Sequence, residues 1–336
     1  MQTMTLGGSG EQVSQVALGC MQMGTRQDEA TSFALLDRYT ERGGNFLDTA
    51  NCYMWWHRRG IGGGQSEELL GRWLVRRGRR DDVFLATKGS GMVTDPSAAF
   101  TEDEEPDWNA AGRLFEGAGG ETLHRAIDGS LQRLGTDYVD LYYVHVDDRT
   151  TPLEETLEAL DDIVRAGKAR FIGWSNVRTW RLERIRQLCD RHGWQSPVAV
   201  QQRHTYLRPR IERDQASNVD GEQLDYLAEH DDLTLVAYSP IVQGVYDVAD
   251  KREGPGLIDL YRGPDTDARL AAVDRVASKV GATGSQVVLA WLLAQRDPRV
   301  IPLIGPRTLE QFDELMAALD LRLEGPVLAE LDTAGA

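Results

Sequence analysis

Apolar residues along this chain gather in short dense runs, and between the runs they spread out at the three- and four-residue spacing of helices. Eight runs read as strands: VALGCM (16–21), GNFLD (44–48), VFLATK (83–88), YVDLYYVH (138–145), ARFIGWS (169–175), PVAVQ (197–201), LTLVAYS (233–239) and RVIPLIG (299–305). The stretches between them, EATSFALLDRYTERG, SEELLGRWLVRRG, LHRAIDGSLQRLG, LEETLEALDDIVRAG and TWRLERIRQLCDRHG among them, are amphipathic and end at glycine, as helix C-termini do. Strands alternating with helices imply a parallel sheet covered by helices.

Eight such units in 336 residues fit a closed α/β barrel of the (β/α)8 TIM type, built as one domain over residues 1–336, better than an open doubly wound sheet. The segment MTLGGSGEQVSQ reads as an N-terminal β-hairpin with a glycine turn, placed to plug the bottom of the barrel. Residues 89–120 and 240–264 lack periodicity and are rich in Gly, Pro and acids; loops of that length in a compact domain form lids or binding walls, here at the C-terminal face. Reacting groups in such barrels sit where strands end, which singles out Asp48, Lys88, His145, Ser175 and Gln201.

Charge narrows the partners. With 53 acidic against 37 basic residues the net charge is −16, a field that repels nucleic acid and anionic membranes, so an anionic ligand needs local cations. Neither an export leader nor a membrane-length apolar run is seen, and a cytoplasmic protein is expected. Cys20, Cys52 and Cys189 are scattered, unlike a zinc site or disulfide framework, and read as packing thiols. No metal site and no particular oligomer is indicated.

Lys88 closes an apolar strand, where a lone ammonium is costly; Asp48, ending the preceding strand, is the natural counter-ion. Such a pair has a purely structural reading, as an ion pair stitching two strands. Tyr53, five residues after Asp48, gives it a chemical one: a phenol of ordinary pKa about 10 exchanges protons poorly near neutrality, and an adjacent lysine cation is expected to lower that value. His145 is placed to hydrogen-bond a substrate oxygen beside that phenol, although strand-end histidines also serve structure alone. His57 shares the Tyr53 loop and is a candidate for the pocket; His124, His192, His204 and His230 read as surface positions. GIGGG (60–64) has no strand immediately before it, so it is not a nucleotide loop; Ser66 as N-cap, with Glu67 and Glu68 in the first turn, accounts for it.

LDTANCY, ATKG, LQRLGTDYVDLYYVH, GKARFIGWSN, LVAYSP and VIPLIGPRTLEQ, in that order and spacing, resemble the aldo-keto reductase family from residue 5 to about residue 320. The resemblance implies a catalytic tetrad of Asp48, Tyr53, Lys88 and His145, with Tyr53 as general acid and His145 orienting the carbonyl. It implies a nicotinamide cofactor, NADPH before NADH, across the barrel mouth. Gly19, Cys20 and Met21 would touch the nicotinamide side, and Ser175, Asn176 and Gln201 its carboxamide. Tyr238 would stack on the ring, Ser239, Pro240, Ile241 and Gly244 would lie along the pyrophosphate, Arg307 would receive the 2′-phosphate, and Asp48, Ile304, Gly305 and Gln311 would also contact the cofactor. Trp55, Trp56 and His57 would line the substrate pocket with Tyr53 and His145.

The chain departs from the family pattern in places. Met54 stands where glycine usually follows the tyrosine, Cys20 replaces a frequent threonine, Leu315 an asparagine near the adenine, and VYDVADK follows Gly244 without the usual nearby basic residue. Trp55, Trp56, Trp108 and Tyr246 suggest an apolar or ring-bearing substrate. The activity expected is reversible reduction of an aldehyde or ketone to an alcohol. The alternatives are an NAD-dependent sugar or secondary-alcohol dehydrogenase, and a cofactor-holding module like the family's channel β-subunits.

Overall fold

The structure, a computed structural model, describes residues 1–210 and 215–335. A hairpin comes first, strands β1 (Thr3–Thr5) and β2 (Gln12–Ser14) pairing antiparallel. Eight parallel strands then close into a barrel in the order β10-β3-β4-β5-β6-β7-β8-β9: β3 (Ala17–Gly19), β4 (Phe46–Asp48), β5 (Phe84–Gly89), β6 (Val139–Val144), β7 (Ala169–Ser175), β8 (Ala199–Arg203), β9 (Thr234–Tyr238) and β10 (Val300–Ile304). Every strand expected from the apolar runs is present; β7 has the expected bounds, and the others differ by at most two residues at an end, β5 and β8 running on past the expected C-terminal end.

Around the barrel lie α1 (Glu29–Glu41), α2 (Gln65–Arg77), α3 (Trp108–Arg113), α4 (Gly120–Leu134), α5 (Leu153–Arg165), α6 (Thr179–His192), α7 (Gly221–Ala228), α8 (Ala249–Glu253), α9 (Thr266–Val280), α10 (Gly284–Ala294), α11 (Leu309–Met316) and α12 (Pro326–Thr333). The glycine stops act as expected: Gly78, Gly135 and Gly193 close α2, α4 and α6 in left-handed conformation. No single helix among the described residues is long and apolar enough to cross a membrane.

Successive strand residues face opposite sides of the sheet, so one parity points into the barrel and the other at the helices. Ala17, Phe46, Phe84, Ala86, Leu141, Tyr143, Ala199, Val236 and Ile301 form the inner cluster, while Leu18, Leu47, Leu85, Tyr142, Val144, Ile172 and Leu235 join the helix-covered core. Continued upward, the inner parity reaches Asp48, Lys88, His145, Ser175, Gln201 and Tyr238, which places these side chains at the C-terminal mouth. At the other end Leu6 and Val13 of the hairpin, fully buried, complete the inner cluster and close the bottom. The hairpin lies so tight there that a Cβ on Gly7 (φ +43°) would come within 2.2 Å of the Val198 carbonyl oxygen.

Two local expectations are corrected. Ser66 does not cap α2: Gly64 occupies the N-cap without a side-chain bond, and the Ser66 hydroxyl bonds the Cys20 carbonyl (2.7 Å) and Thr49 (2.7 Å), tying helix to strand ends. Glu67 is buried, accepting from Thr87 (2.5 Å) and Arg133 (2.7 Å). The 89–120 segment contains α3, the turn Pro96–Ala99 and bridges Val93–Phe115 and Phe100–Pro106. In 240–264 there are the turns Val242–Gly244 and Leu257–Leu260 and the five-residue α8. These elements are too short to leave a periodic signature.

Candidate active site

Lys88 has no exposed surface, and each hydrogen of its ammonium finds an acceptor: Asp48 Oδ1 at 2.5 Å, the Thr49 carbonyl at 2.7 Å and Tyr53 Oη at 2.6 Å. Asp48, equally buried, is held from its other side, Gln201 Nε2 donating to Oδ2 at 2.8 Å. A buried ion pair is retained at tolerable cost only when its remaining hydrogen-bonding capacity is filled, and here it is. Tyr53, 8% exposed, donates from Oη to Asp48 Oδ1 at 3.4 Å.

The expected effect of Lys88 on the phenol is overturned. Burial and then the Asp48 carboxylate push Tyr53 well above its ordinary value, because the cation is already neutralised by Asp48 and the phenol lies out of water. In this arrangement Tyr53 keeps its proton. His145, just past β6, is driven down to about 3 by burial and by Lys88, so its imidazole is neutral at physiological pH. Its ring meets that of Tyr53 edge-on at 5.5 Å, and its Nδ1 lies 3.2 Å from Cys52 Sγ.

A polar chain runs across the mouth beside these groups. Ser175 Oγ donates to the Gln201 carbonyl (2.7 Å), Asn176 Nδ2 to the His145 carbonyl (2.7 Å), and Tyr238 Oη to Asn176 Oδ1 (2.9 Å). Past β9, Ser239, Val242 and Gln243 adopt φ of +53°, +47° and +57°, as Asn176 does at +53°. Left-handed backbone without glycine costs about 1 kcal/mol or more per residue and collects at ligand clamps. Pro240 is buried, its carbonyl accepting from Thr205 (2.5 Å). Ile241 is half-buried and Gly244 is left-handed (φ +89°). The cation missing after Gly244 is supplied from α8: Lys251 folds back to bond the Gln243 carbonyl beside Gly244. Its distance along the chain hid it.

The other candidates divide. Gly19 and Ile304 end adjacent strands, and Met21 packs against the Tyr53 cluster. Cys20 is fully buried in the outer core with its thiol toward the Leu18 carbonyl (3.6 Å), so its side chain faces away from the inner cluster. Gly305 and Arg307 are exposed; Gln311 accepts from the Arg307 amide (2.9 Å) at the start of α11, and Leu315 is buried in the core.

On the other side stands an aromatic wall. Trp56 meets the Tyr53 ring edge-on at 6.4 Å and the Trp108 ring at a tilt of 46° at 5.5 Å, and Trp108 is 58% exposed. Trp55 is instead buried among Val93, Ala99 and Ala111, against Phe100 and Trp108, and anchors the wall. His57 is exposed, 3.5 Å from Arg26, and turned out of the pocket. Tyr246 is buried beneath the 240–264 loop with Thr205 (2.7 Å), an anchor too. His204 is buried as well, contrary to its surface reading, because the chain leaving β8 turns under the helices, where its ring approaches Trp291.

Met54 follows the path a glycine would take, φ +70° and ψ +16°, with its side chain buried in the Tyr53 cluster. All three cysteines are free and buried.

Comparison with known proteins adds a second line. The family model described as the Aldo/keto reductase family matches residues 15–336. The chain is similar to the uncharacterized oxidoreductase YrpG of Bacillus subtilis (strain 168), 30% identical over 97% of this chain and 94% of that protein. Norsolorinic acid reductase stcV of Emericella nidulans is 31% identical (96% of this chain, 79% of that protein), and the aryl-alcohol dehydrogenase [NADP(+)] of Phanerodontia chrysosporium 28% identical (94% and 81%). Among solved structures, a thermostable aldo-keto reductase in complex with the inhibitor epalrestat superposes with TM-score 0.72 at 26% identity, covering 99% of this chain and all of the other.

Proposed function

The chain belongs to the aldo/keto reductase family and is an NAD(P)H-dependent oxidoreductase; from that premise we propose that it reduces an aldehyde or ketone to the alcohol with NADPH, Tyr53 giving the proton. The observation that carries this reading is the closed contact of Tyr53 Oη with Lys88 Nζ at 2.6 Å, Lys88 being fixed by Asp48 at 2.5 Å, with a neutral imidazole alongside.

Each residue has a task that its surroundings support. Tyr53 holds its proton until an oxygen more basic than its own forms beside it; when the proton leaves, the Lys88 ammonium already stands against the nascent phenolate. Asp48 keeps that ammonium from moving, and Gln201 keeps Asp48 from rotating. The neutral His145 orients the carbonyl oxygen by hydrogen bonding without competing as an acid.

The residues also fit the cofactor. Asn176 and Gln201 present amides, Tyr238 a ring face, and the strained loop after β9 a backbone curve with the Lys251 cation against it, a donor set for a nicotinamide joined to phosphates. When bound, the nicotinamide supplies the hydride. NADPH is preferred over NADH on two cations, Lys251 and the exposed Arg307, in a chain whose net charge is −16; the relative named for NADP(+) agrees. Trp56 against Tyr53 and Trp108 at the rim support a ring-bearing carbonyl, in keeping with relatives named for aryl alcohol and norsolorinic acid.

Tyr53→Phe tests the reading. It removes the proton and keeps the shape, so kcat should fall about 10²–10⁴-fold while NADPH binding, followed by fluorescence, persists. Turnover near the wild-type rate would refute Tyr53 as the acid. Absence of both NADPH binding and carbonyl reduction in the wild type would refute the activity.

A further inference from the structure

We infer that Cys52 is a positioning residue for His145: its thiol donates a hydrogen bond to the imidazole Nδ1 and so fixes the tautomer that carries its proton on Nε2, the nitrogen left for a substrate oxygen. The inference rests on the reading of His145 as the group that orients the carbonyl.

The geometry is direct. Cys52 Sγ lies 3.2 Å from His145 Nδ1, and Cys52 is 3% exposed. Burial pushes the thiol up to about 12, so it retains its hydrogen, and holds the imidazole near 3, so the ring carries a single N–H. Two proton arrangements then compete. If Nδ1–H donated to sulfur, the buried thiol hydrogen would have no acceptor, since the imidazole is the one side chain bonded to this sulfur among the described residues and the Cys52 amide is itself a donor, and Nε2 would turn a lone pair toward a carbonyl oxygen. If the thiol donates, its hydrogen is satisfied and Nε2–H is free to bond the substrate.

The chain also leaves room for this contact and no more. A Cβ at Gly91, on the loop after β5, would stand 3.0 Å from Nδ1, 3.3 Å from the imidazole Cγ and 3.4 Å from Cys52 Sγ. The Tyr53 ring closes another side at 5.5 Å. Because Cys52 immediately precedes Tyr53, one loop supplies both the proton donor and the group that sets the tautomer of its neighbour.

The test is ¹⁵N NMR of histidine-labelled protein with kinetics on Cys52→Val and Cys52→Ser. The resting wild type should show His145 protonated on Nε2. Cys52→Val, close in volume but without a donor, should mix the tautomers and lower kcat by about tenfold with NADPH affinity unchanged, as loss of one hydrogen bond predicts. Cys52→Ser, which restores a donor, should recover the tautomer and most of the rate. An Nδ1–H wild type, a Cys52→Val protein with unaltered tautomer and rate, or a Cys52→Ser protein as impaired as Cys52→Val would each overturn the assignment. The spectrum is read without turnover, so a wild type inactive on every carbonyl would refute the proposed function while the spectrum still decides the role of Cys52.

Discussion

Asp48, Lys88 and Gln201 stand at the barrel mouth on three strands, at most 2% exposed, each held by hydrogen bonds to another. Trp56, in the short turn Trp55–His57, and Trp108, the first residue of the six-residue α3, belong to the long connections after β4 and β5 and are held there by Trp55 and Phe100, and by Arg59, which bonds the Ser97 carbonyl (3.2 Å), the Thr101 carbonyl (2.8 Å) and Glu104 (3.0 Å). The polar floor is rigid because its charges have no water to fall back on. The aromatic wall is held by dispersion and by solvated bonds, each of which is weak. Rigid charge suits a proton transfer whose geometry does not vary; a soft wall suits the part of the substrate that does.

The largest effect should come from breaking the floor. Asp48→Ala leaves the Lys88 ammonium buried without a counter-ion, and should destabilise the fold by about 3–5 kcal/mol in urea titration. A loss under about 1 kcal/mol would show that water reaches the floor. Next comes acid. The imidazole of His204 is held down to about 4 by burial, whereas an unfolded histidine takes up its proton near 6.5. Between those values the unfolded state binds more protons, so stability falls as pH falls, by up to about 1.4 kcal/mol per pH unit for this group, and nothing is gained above 6.5. His204→Gln should flatten that slope by this much, and an unchanged slope would assign it to other groups.

Trp56→Ala probes the wall. KM for an aromatic aldehyde should rise about tenfold with kcat changed less than about threefold, and an aliphatic aldehyde should respond less. An equal fall in kcat would mean that Trp56 positions Tyr53 rather than the substrate. Arg59→Ala should do least to the whole, under about 1 kcal/mol, since its ion pair with Glu104 is exposed. Amide exchange in residues 97–108 should nonetheless quicken; uniform exchange across the chain would show that the wall and the floor open together.

The floor was legible where the wall was not. Asp48, Lys88, His145, Ser175 and Gln201 lie within two residues of a strand end on one parity, and a period of two repeats without regard to what lies between strands. The wall is set by loop paths. Nothing local distinguishes Trp55 from Trp56, yet one is buried as an anchor and the other meets Tyr53; His57, beside them, points to solvent. Lys251 reaches Gln243 from a helix of five residues, a contact that no local pattern marks. The burial of His204 has no local signal, because burial outside the barrel depends on which helix lies over a residue, here the one that carries Trp291.

The sequence by itself determined the alternation of strands and helices, the barrel, its hairpin plug and the side chains offered at its mouth, because apolar periodicity and glycine stops act over a few residues. Tertiary structure alone decided the protonation of the phenol and the imidazole, the partner of Cys52 and the facing of the tryptophans. Those depend on what is buried against them, and burial brings together groups such as Cys52, Gly91 and His145 from three separate segments.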